Sequence, residues 1–452
     1  MKIVIIGDGK VGCRLAKILS EENYDVVLVD NNEARLKESS NKLDVSCIVG
    51  DGVSAEVQRE AGVPSADLVI TCTSTDEVNM LSCLIGKRLG AKHTIARVRN
   101  PIYYQQIDLL KEDLHLSMVI NPELAVANEI VRGLIFPSAS KVEAFVKGKV
   151  DMVEVPIKEG NPIVGLSLSE AYHKWQIKIL VCAVQRGEDV FIPDGSFVPQ
   201  PGDKLHIAGA HREMEALFAA FGSKKFHVKK VMIAGGGRTS FYLAKQLCSM
   251  GMEVKIVERD YEKCEDLCDS LPKATIINGD ATDHELLLEE GLLDADAFVA
   301  LMGVDEENII VSLFAKSQGV PKLVAKVNED SRAKMVGELG IDSVVSGKKA
   351  TVDVITSYVR ARQNSYSSAN VEALYHLVDD RVEALEFVIR EESEYTGIPL
   401  KNLEIKPNNL IACIARKRQM IIPSGEDSFQ VGDSVVVITK NKKVQDIQDI
   451  LQ

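Results

Sequence analysis

The stretch Lys2–Gly12, KIVIIGDGKVG, decides the fold of this chain. A short apolar run is followed at once by glycines in the spacing Gly-x-Gly-x-x-Gly. The run is typical of a strand buried on both faces of a parallel sheet. In this pattern the first glycine permits a tight turn, the second lets the backbone approach a pyrophosphate, and the third lets a helix pack on the strand. The sequence therefore predicts a dinucleotide-binding turn formed by Gly7, Asp8, Gly9, Lys10, Val11 and Gly12.

Acidic and hydroxyl residues after the next strands support this prediction. Asp30 ends the second apolar stretch, DVVLVD, where a carboxylate can accept hydrogen bonds from ribose hydroxyls and repel a 2′-phosphate. Asp51 follows the third predicted strand and is expected either to contact the ligand or to cap a turn. Thr73 and Ser74 follow the fourth and are expected to reach the phosphate or nicotinamide end.

The same signature occurs again 228 residues further along, in VMIAGGGRTS. Gly235 and Gly237 correspond to Gly7 and Gly9, but Ser240 stands where the first copy has Gly12. The match extends well beyond the glycines, to the pairs Asp30 and Glu258, Asp51 and Asp280, Asn79 and Asn308, and Arg97 and Lys326. The chain is therefore a tandem duplication of a unit of about 225 residues, and its architecture has to be interpreted for each repeat.

The second turn predicts a second nucleotide site, whose candidates are Gly235, Gly237, Arg238, Thr239, Ser240, Glu258 and Asp280. Ser240 adds a Cβ and a hydroxyl where helix and strand pack closest, so NAD(H) and an adenine nucleotide such as ATP or ADP are both possible ligands. Arg238 either reaches phosphates of its own or a neighbouring site or is a solvated surface residue.

Strands and helices alternate after each turn, which predicts an α/β fold with doubly wound parallel sheets. In the first repeat the predicted strands are Lys2–Ile6, Asp25–Val29, Val45–Val49, Leu68–Thr71, Thr94–Val98 and Met118–Ile120. Two Rossmann-like domains are expected at 1–136 and 228–362, each followed by a small α+β domain, at 142–223 and 370–452. The polar segment Gln363–Ser368 is the predicted flexible joint before the last domain.

A helix with an unusually broad apolar surface is predicted over Leu124–Phe136, after the N-capping residue Asn121. It is either a helix buried within its own domain or a crossover helix that packs against a neighbouring repeat or subunit.

Composition excludes several classes of function. The net charge of −13 argues against nucleic acid and against adsorption to anionic lipid. No apolar run approaches the roughly 20 residues that span a bilayer, so a membrane role is expected to act through a protein partner, without direct insertion. Nine cysteines without a paired framework suit a reducing cytoplasm. Cys264 and Cys268 lie one helical turn apart but lack accompanying histidines, and no metal site is predicted.

The sequence contains no recognised catalytic motif, since it has no Tyr-x-x-x-Lys, no nucleophile elbow and no Walker loop. The protein is therefore predicted not to be an enzyme. The alternative is an NAD-dependent oxidoreductase, which would show turnover of NADH with hydroxy acids or aldehydes. Gly12→Asp is expected to abolish nucleotide binding at the first turn without unfolding the protein.

Together, the two glycine turns, the motif TSTDEVN and the segments VEVPI and VPQPGDKLHIAG resemble the tandem RCK (also KTN) domain family, whose name stands for regulator of potassium conductance. The resemblance covers essentially the whole chain in the order N-lobe, C-lobe, N-lobe, C-lobe. It implies a cytoplasmic regulatory subunit, peripheral on the inner face of the cell membrane. It also implies binding of NAD(H) and adenine nucleotides, docking on an integral-membrane potassium channel or transporter subunit of Trk type, and a homotetramer or dimer. Ser240 departs from the family pattern.

Overall fold

The structure is a computed structural model, and it describes residues 1–136, 141–145, 150–222, 227–367, 371–378, 381–417, 419–441, 444 and 446–451. The polypeptide divides into two compact units, each of which combines parts of both repeats. Unit 1 comprises Met1–Val131 and Lys229–Thr356, and unit 2 comprises Arg132–Val228 and Ser357–Gln452. Each unit therefore contains one pair of equivalent lobes: the N-lobes in unit 1 and the C-lobes in unit 2. The division into four domains at the boundaries given above stays a prediction.

The first N-lobe is a six-stranded parallel sheet with helices between its strands. Its strands are β1 (Lys2–Ile6), β2 (Asp25–Asp30), β3 (Ser46–Val49), β4 (Leu68–Thr71), β5 (His93–Arg97) and β6 (Met118–Ile120). Its helices are α1 (Lys10–Glu21), α2 (Glu33–Lys42), α3 (Ala55–Glu60), α4 (Asp76–Leu89), α5 (Pro101–Gln105), α6 (Ile107–Asp113) and α7 (Pro122–Ile135), with a 3-10 turn at Val63–Ser65. The strand order is β3-β2-β1-β4-β5-β6, so the order reverses between β1 and β4.

The first C-lobe is a five-stranded antiparallel sheet with two helices. It contains β7 (Lys141–Phe145), β8 (Val150–Pro156), α8 (Leu168–Trp175), β9 (Ile179–Arg186), β10 (Asp189–Phe191), β11 (Lys204–Gly209) and α9 (His211–Ala220), in the strand order β10-β9-β11-β8-β7.

The second N-lobe repeats the first. Its strands are β12 (Lys230–Ala234), β13 (Glu253–Glu258), β14 (Thr275–Asn278), β15 (Ala297–Ala300), β16 (Lys322–Lys326) and β17 (Ser343–Val345), in the equivalent order β14-β13-β12-β15-β16-β17. Its helices are α10 (Arg238–Ser249), α11 (Tyr261–Ser270), α12 (His284–Glu289), α13 (Asp305–Ser317), α14 (Asp330–Glu338) and α15 (Gly347–Ser367), with a 3-10 turn at Leu292–Asp294.

The second C-lobe also repeats its counterpart. Its strands are β18 (Val371–Leu377), β19 (Val382–Val388), β20 (Asn409–Arg416), β21 (Gln419–Ile421) and β22 (Ser434–Thr439), in the order β18-β19-β22-β20-β21, with 3-10 turns at Leu400–Asn402 and Ile447–Ile450.

This architecture confirms the predicted fold class, including all six strands of the first N-lobe. One prediction about a connection is wrong. The segment Gln363–Ser368 was expected to be a joint, but α15 continues to Ser367, while residue 368 lies outside the described residues. A polar composition lowers the tendency to be buried, but the stretch Gln363–Ser367 contains neither proline nor glycine, so nothing in it stops a helix.

In unit 1, α7 of the first N-lobe lies against α10 of the second. Asn121, just before α7, donates from Nδ2 to the hydroxyl of Tyr242 at 2.9 Å, and the bond is buried. Two turns along the helices, Gln246 Nε2 donates to Asn128 Oδ1 at 2.8 Å. The apolar residues Val126, Ala127 and Ile130 of α7 are buried as well. Of the two interpretations of the broad apolar surface, these contacts favour the crossover helix.

In unit 2, the two C-lobe sheets share a core of small side chains. Cys182 and Ala183 of the first sheet and Ala412 and Cys413 of the second belong to one buried cluster. Each C-lobe is also held by an ion pair with a buried aspartate at the turn before its last long strand: Arg186 binds Asp203 at 2.7 and 2.8 Å, and Arg416 binds Asp433 at 2.9 and 2.8 Å.

Candidate functional site

The first glycine turn connects β1 to α1 at the carboxyl edge of the sheet, where the strand order reverses. Gly7 has φ of +107°, which an L side chain rarely adopts, and a Cβ there would lie 3.0 Å from the backbone of Cys72 and Thr73. Cys72 closes the inner side of the turn, and its Sγ donates to the Gly7 carbonyl at 3.4 Å. Burial raises the pKa of this thiol to about 12, so it stays protonated at neutral pH.

Gly9 and Gly12 differ sharply in their surroundings. Gly9 is the N-cap of α1, and a Cβ added there would meet nothing within 4 Å. A Cβ at Gly12 would lie 1.9 Å from the carbonyl oxygen of Gly7. The expectation that Gly12→Asp leaves the fold intact is therefore wrong, because any side chain at Gly12 collides with the backbone of the turn before it can reach a ligand.

Asp30 organises the turn through its carboxylate. Oδ2 accepts from the backbone N–H of Asp8 at 2.6 Å, and Oδ1 accepts from that of Asn32 at 2.8 Å. The backbone of Asp30 also joins the next loop, since its carbonyl accepts from Gly50 at 2.9 Å. Asp30 thus lies beside the glycine turn, as predicted for a ribose acid. Each carboxylate oxygen of Asp30 keeps one lone pair that can accept a hydrogen bond from a ligand hydroxyl.

The remaining candidates of the first site lie around this edge. Asp51 accepts from the backbone of Val53 at 3.1 Å in an exposed turn before α3, so it has the turn role that was one of its two alternatives. Thr73 donates from both its backbone N–H and its hydroxyl to Asn79 Oδ1 at 2.8 Å. Lys10 and Ser74 are exposed, whereas Val11 is buried in α1.

Asn79 is a residue that analysis of the sequence missed as a site component. It is fully buried, and its Nδ2 donates to the Arg97 carbonyl at 2.9 Å while its Oδ1 holds Thr73. It thus ties the end of β4 to the end of β5. Asn308 makes the same bridge from Met302 to Lys326, at 2.8 and 2.9 Å. The signal was present, because this asparagine is identical in both copies.

Arg97 and Lys326 are also equivalent, and each supports the end of the fourth strand in its own lobe. The guanidinium of Arg97 donates to the Thr73 carbonyl, and Lys326 Nζ donates to that of Leu301 at 3.0 Å. Burial lowers the pKa of both groups. Nε of Arg97 is buried without a hydrogen-bond partner.

The second glycine turn reproduces the first closely. Gly235 has φ of +97°, and Gly237 is the N-cap of α10 with nothing within 4 Å of an added Cβ. Glu258 replaces Asp30 without loss of its contacts: Oε2 accepts from Gly236 N at 2.7 Å and Oε1 from Asp260 N at 2.9 Å. Ser240 is accommodated, because its hydroxyl donates to the Gly235 carbonyl at 2.5 Å.

The other candidates of the second site lie either at the start of α10 or in a turn. Arg238 is exposed at the start of α10, and Thr239 beside it is buried. Asp280 accepts from the backbone and hydroxyl of Thr282 at 2.9 and 2.8 Å, and these bonds lower its pKa. Asp280 therefore holds a turn, as Asp51 does. Whether any of these residues contacts a ligand stays a prediction.

No helix in the described part of the chain is long and apolar enough to cross a membrane.

Comparison with known proteins agrees with this architecture. The TrkA-N domain matches residues 3–122 and 231–347, and the TrkA-C domain matches residues 152–222 and 384–452. The chain is 33% identical to the Trk system potassium uptake protein TrkA homolog 1 of Methanosarcina mazei, with 99% of each chain covered. It is 31% identical to the Trk system potassium uptake protein TrkA of Haemophilus influenzae, with 100% of this chain and 99% of the relative covered.

Solved structures share the fold at low identity. The GsuK channel bound to NAD has a TM-score of 0.64 at 18% identity and covers 97% of this chain and 76% of its own. The GsuK RCK domain has a TM-score of 0.63 at 19% identity and covers 97% of this chain and 92% of its own. With both TrkA domains matched twice and full-length relatives above 30% identity, the chain belongs to the TrkA family of Trk system potassium uptake proteins.

Proposed function

We propose that the protein is a nucleotide-sensing regulatory subunit that gates an integral-membrane potassium channel or transporter subunit of Trk type. Its family membership supports the link to potassium uptake, since the full-length relatives are named Trk system potassium uptake proteins. The duplicated glycine turns support sensing, because two equivalent clefts in one chain fit a protein that responds to ligand occupancy.

The observation that carries this proposal is the open N-terminus of α1 and of α10. Neither helix has a side-chain cap, and nothing fills the space above Gly9 or Gly237. The next helix of each lobe is capped, α2 by Asn32 and α11 by Asp260, whereas α4 and α13 also begin without a side-chain cap. Uncapped N–H groups at a helix start attract anions, and the pyrophosphate of a dinucleotide binds at this place in doubly wound folds.

NAD(H) is the ligand proposed for the first cleft, where Asp30 and Gly7–Gly12 would hold its ribose and pyrophosphate. NAD(H), ADP or ATP is proposed for the second, where Glu258 would hold the ribose. Two structures of GsuK, which shares this fold, are described as bound to NAD and bound to ADP.

A mechanism for transmission follows from the contact between α7 and α10. Helix α10 begins at the second glycine turn, and its residues Tyr242 and Gln246 hold Asn121 and Asn128 of the first N-lobe. A ligand that displaces the start of α10 would therefore shift the pairing of the two N-lobes. It can move that equilibrium only by the difference between its affinities for the two arrangements.

The assembly that we propose is a homotetramer, or failing that a dimer, of chains with four domains each. It would act in the cytoplasm, peripheral on the inner face of the cell membrane, through its membrane partner. Sites that each favour one state tenfold contribute about 1.4 kcal/mol apiece. Moving a two-state equilibrium from nearly one side to the other takes about 5.5 kcal/mol, so about four coupled sites suffice.

The test uses the full-length chain and two variants, Gly9→Asp and Gly237→Asp, whose side chains enter open space at each turn. Calorimetric titration with NADH, NAD, ADP and ATP should show that each variant loses one site. Gly195→Asp is the matched control, because that glycine lies in the first C-lobe and a Cβ there would make only an ordinary contact, with Ser169 Cβ at 3.6 Å.

Potassium flux through the reconstituted membrane partner should then depend on nucleotide identity with a Hill coefficient above one, and the double variant should lose this dependence. Identical flux with no nucleotide and with each of the four would overturn the proposal. Turnover of NADH with hydroxy acids or aldehydes would favour the oxidoreductase instead.

A further inference from the structure

The two glycine turns differ at one buried position that the fold makes equivalent, Asp8 in the first and Gly236 in the second. The backbone N–H of each residue donates to the acid of its own lobe, Asp30 or Glu258. Only the first copy has a side chain at this position, that of Asp8. Asp8 is 4% exposed, so a carboxylate is packed against the residue predicted to hold the ribose.

A second substitution accompanies the first. Ser39 on α2 donates its hydroxyl to Asp8 Oδ2 at 2.7 Å, and both side chains are buried. The equivalent residue on α11 is Leu267, which is buried too. A Cβ at Gly236 would lie 2.7 Å from Leu267 Cδ1 and 2.9 Å from both Cβ and Cγ of Glu258, so an acid in the second turn would collide with both side chains. The two positions therefore vary as a pair, Asp with Ser or Gly with Leu.

The hydrogen-bonding capacity of Asp8 is not saturated within the protein. Oδ1 is buried and has no hydrogen-bond partner. Burial raises the pKa of the Asp8 carboxyl, and the neighbouring Asp30 raises it further, whereas the bond from Ser39 lowers it. A purely structural role would be served better by an apolar pair such as the one in the second copy, because a buried and incompletely bonded carboxylate costs stability.

Charge is the property that Asp8 adds. The first turn has two carboxylates, Asp8 and Asp30, with one exposed cation, Lys10, whereas the second has one carboxylate, Glu258, with one exposed cation, Arg238. The first turn is thus more negative by one unit charge, and the second also has the exposed Arg259 directly after Glu258 where the first has Asn31. The backbone N–H of Asp8 is bonded to Asp30, and the charge of Asp30 acts on the Asp8 carboxyl, so the charge of Asp8 lies near the acid predicted to hold the ribose.

We propose that Asp8, held by Ser39, is a specificity-determining residue that makes the first site reject nucleotides with a phosphate on the adenosine ribose more strongly than the second site does. This inference rests on the proposed function, because it assumes that the clefts bind nucleotides. Removal of one unit charge near such a phosphate is expected to change the dissociation constant by about tenfold. The two sites of one chain are then chemically different sensors.

The test measures Kd for NADH and NADPH on the full-length chain in which Gly237→Asp blocks the second turn. Asp8→Asn keeps the size of the side chain and removes its charge, so the affinity for NADPH relative to NADH should rise about tenfold. Ser39→Ala is the matched control, measured at about pH 8 so that the Asp8 carboxyl stays ionised without the bond that lowers its pKa, and it should retain the rejection of NADPH.

Exchange of the pairs gives an independent result. Asp8→Gly with Ser39→Leu should give the first site the weaker discrimination of the second. Gly236→Asp with Leu267→Ser and Glu258→Asp, which gives the second turn an acid as short as Asp30, should impose rejection of NADPH on the second site when Gly9→Asp blocks the first turn. An unchanged ratio of NADPH to NADH affinity in Asp8→Asn would overturn this inference and leave the proposed function standing. Failure of the unmodified chain to bind NADH would overturn both.

Discussion

Replacement of Gly12 by alanine should damage the fold of the first N-lobe, whereas the same replacement at Gly9 should damage only the site. The Cβ that Gly12→Ala introduces would lie 1.9 Å from the Gly7 carbonyl oxygen, and carbon atoms of this kind do not approach closer than 3.0 Å. The helix start and the turn must therefore separate by at least about 1 Å, and overpacking of this size costs about 1–3 kcal/mol.

Thermal unfolding measures this difference directly. For a unit as large as unit 1, each kcal/mol shifts the midpoint by roughly 2–4 °C, so Gly12→Ala should lower Tm by several degrees. Gly9→Ala is the matched control, because Gly9 has φ of −82° and open space around it, so only the modest cost of alanine at an N-cap applies and Tm should fall by no more than about 2 °C. A parental Tm for Gly12→Ala, or an equal loss in both variants, would refute the reasoning.

Two further outcomes follow from buried polar groups of unit 1. The raised pKa of Asp8 means that its ionised form destabilises the fold, so stability from this group is present below the unfolded pKa and is lost as pH rises through the folded pKa. Asp8→Asn should therefore raise Tm at about pH 7.5, with a gain that shrinks toward about pH 4, and an equal gain at both pH values would contradict this. Tyr242→Phe removes the hydroxyl that accepts from Asn121 and should cost about 1 kcal/mol. Asn121→Ala should cost more, because it also removes the oxygen that caps α7 by accepting from Leu124 N at 2.9 Å, and the double variant should lose about 1 kcal/mol less than the sum of the two single losses. Additive losses in thermal unfolding would show that the two residues are not coupled.

Much of this protein follows from local patterns in its sequence. The apolar run Lys2–Ile6, the glycine spacing after it and the acid at Asp30 predict strand, turn, helix and second strand, because each depends on residues only a few positions apart. The duplication then transfers the same assignment to Gly235 and Glu258 by simple alignment. The alternation of strands and helices also yields the doubly wound sheets, since short right-handed crossovers leave few other topologies.

Tertiary structure decided what depends on residues distant in sequence. Gly12 and Ser240 occupy equivalent positions, but their surroundings differ. A Cβ at Gly12 would collide with the Gly7 carbonyl oxygen, whereas the Ser240 hydroxyl donates a hydrogen bond to the Gly235 carbonyl. The sequence does not show this difference. The broad apolar surface of α7 was compatible with two packings. Tyr242, more than a hundred residues away, distinguishes them through its contact with Asn121.

The pairing of Asp8 with Ser39 also depends on residues that are distant in sequence. Asp8 stands inside the glycine motif and looks like a variable position, because the consensus leaves it open. The role of Asp8 depends on α2, which brings Ser39 over the turn. In the second copy, Leu267 of α11 and Glu258 together occupy the space that an acid at Gly236 would need. Local sequence thus determined which elements form and where each turn lies. The three-dimensional packing of helices over those turns decided which side chains share a space, because close packing makes every such space specific to its neighbours.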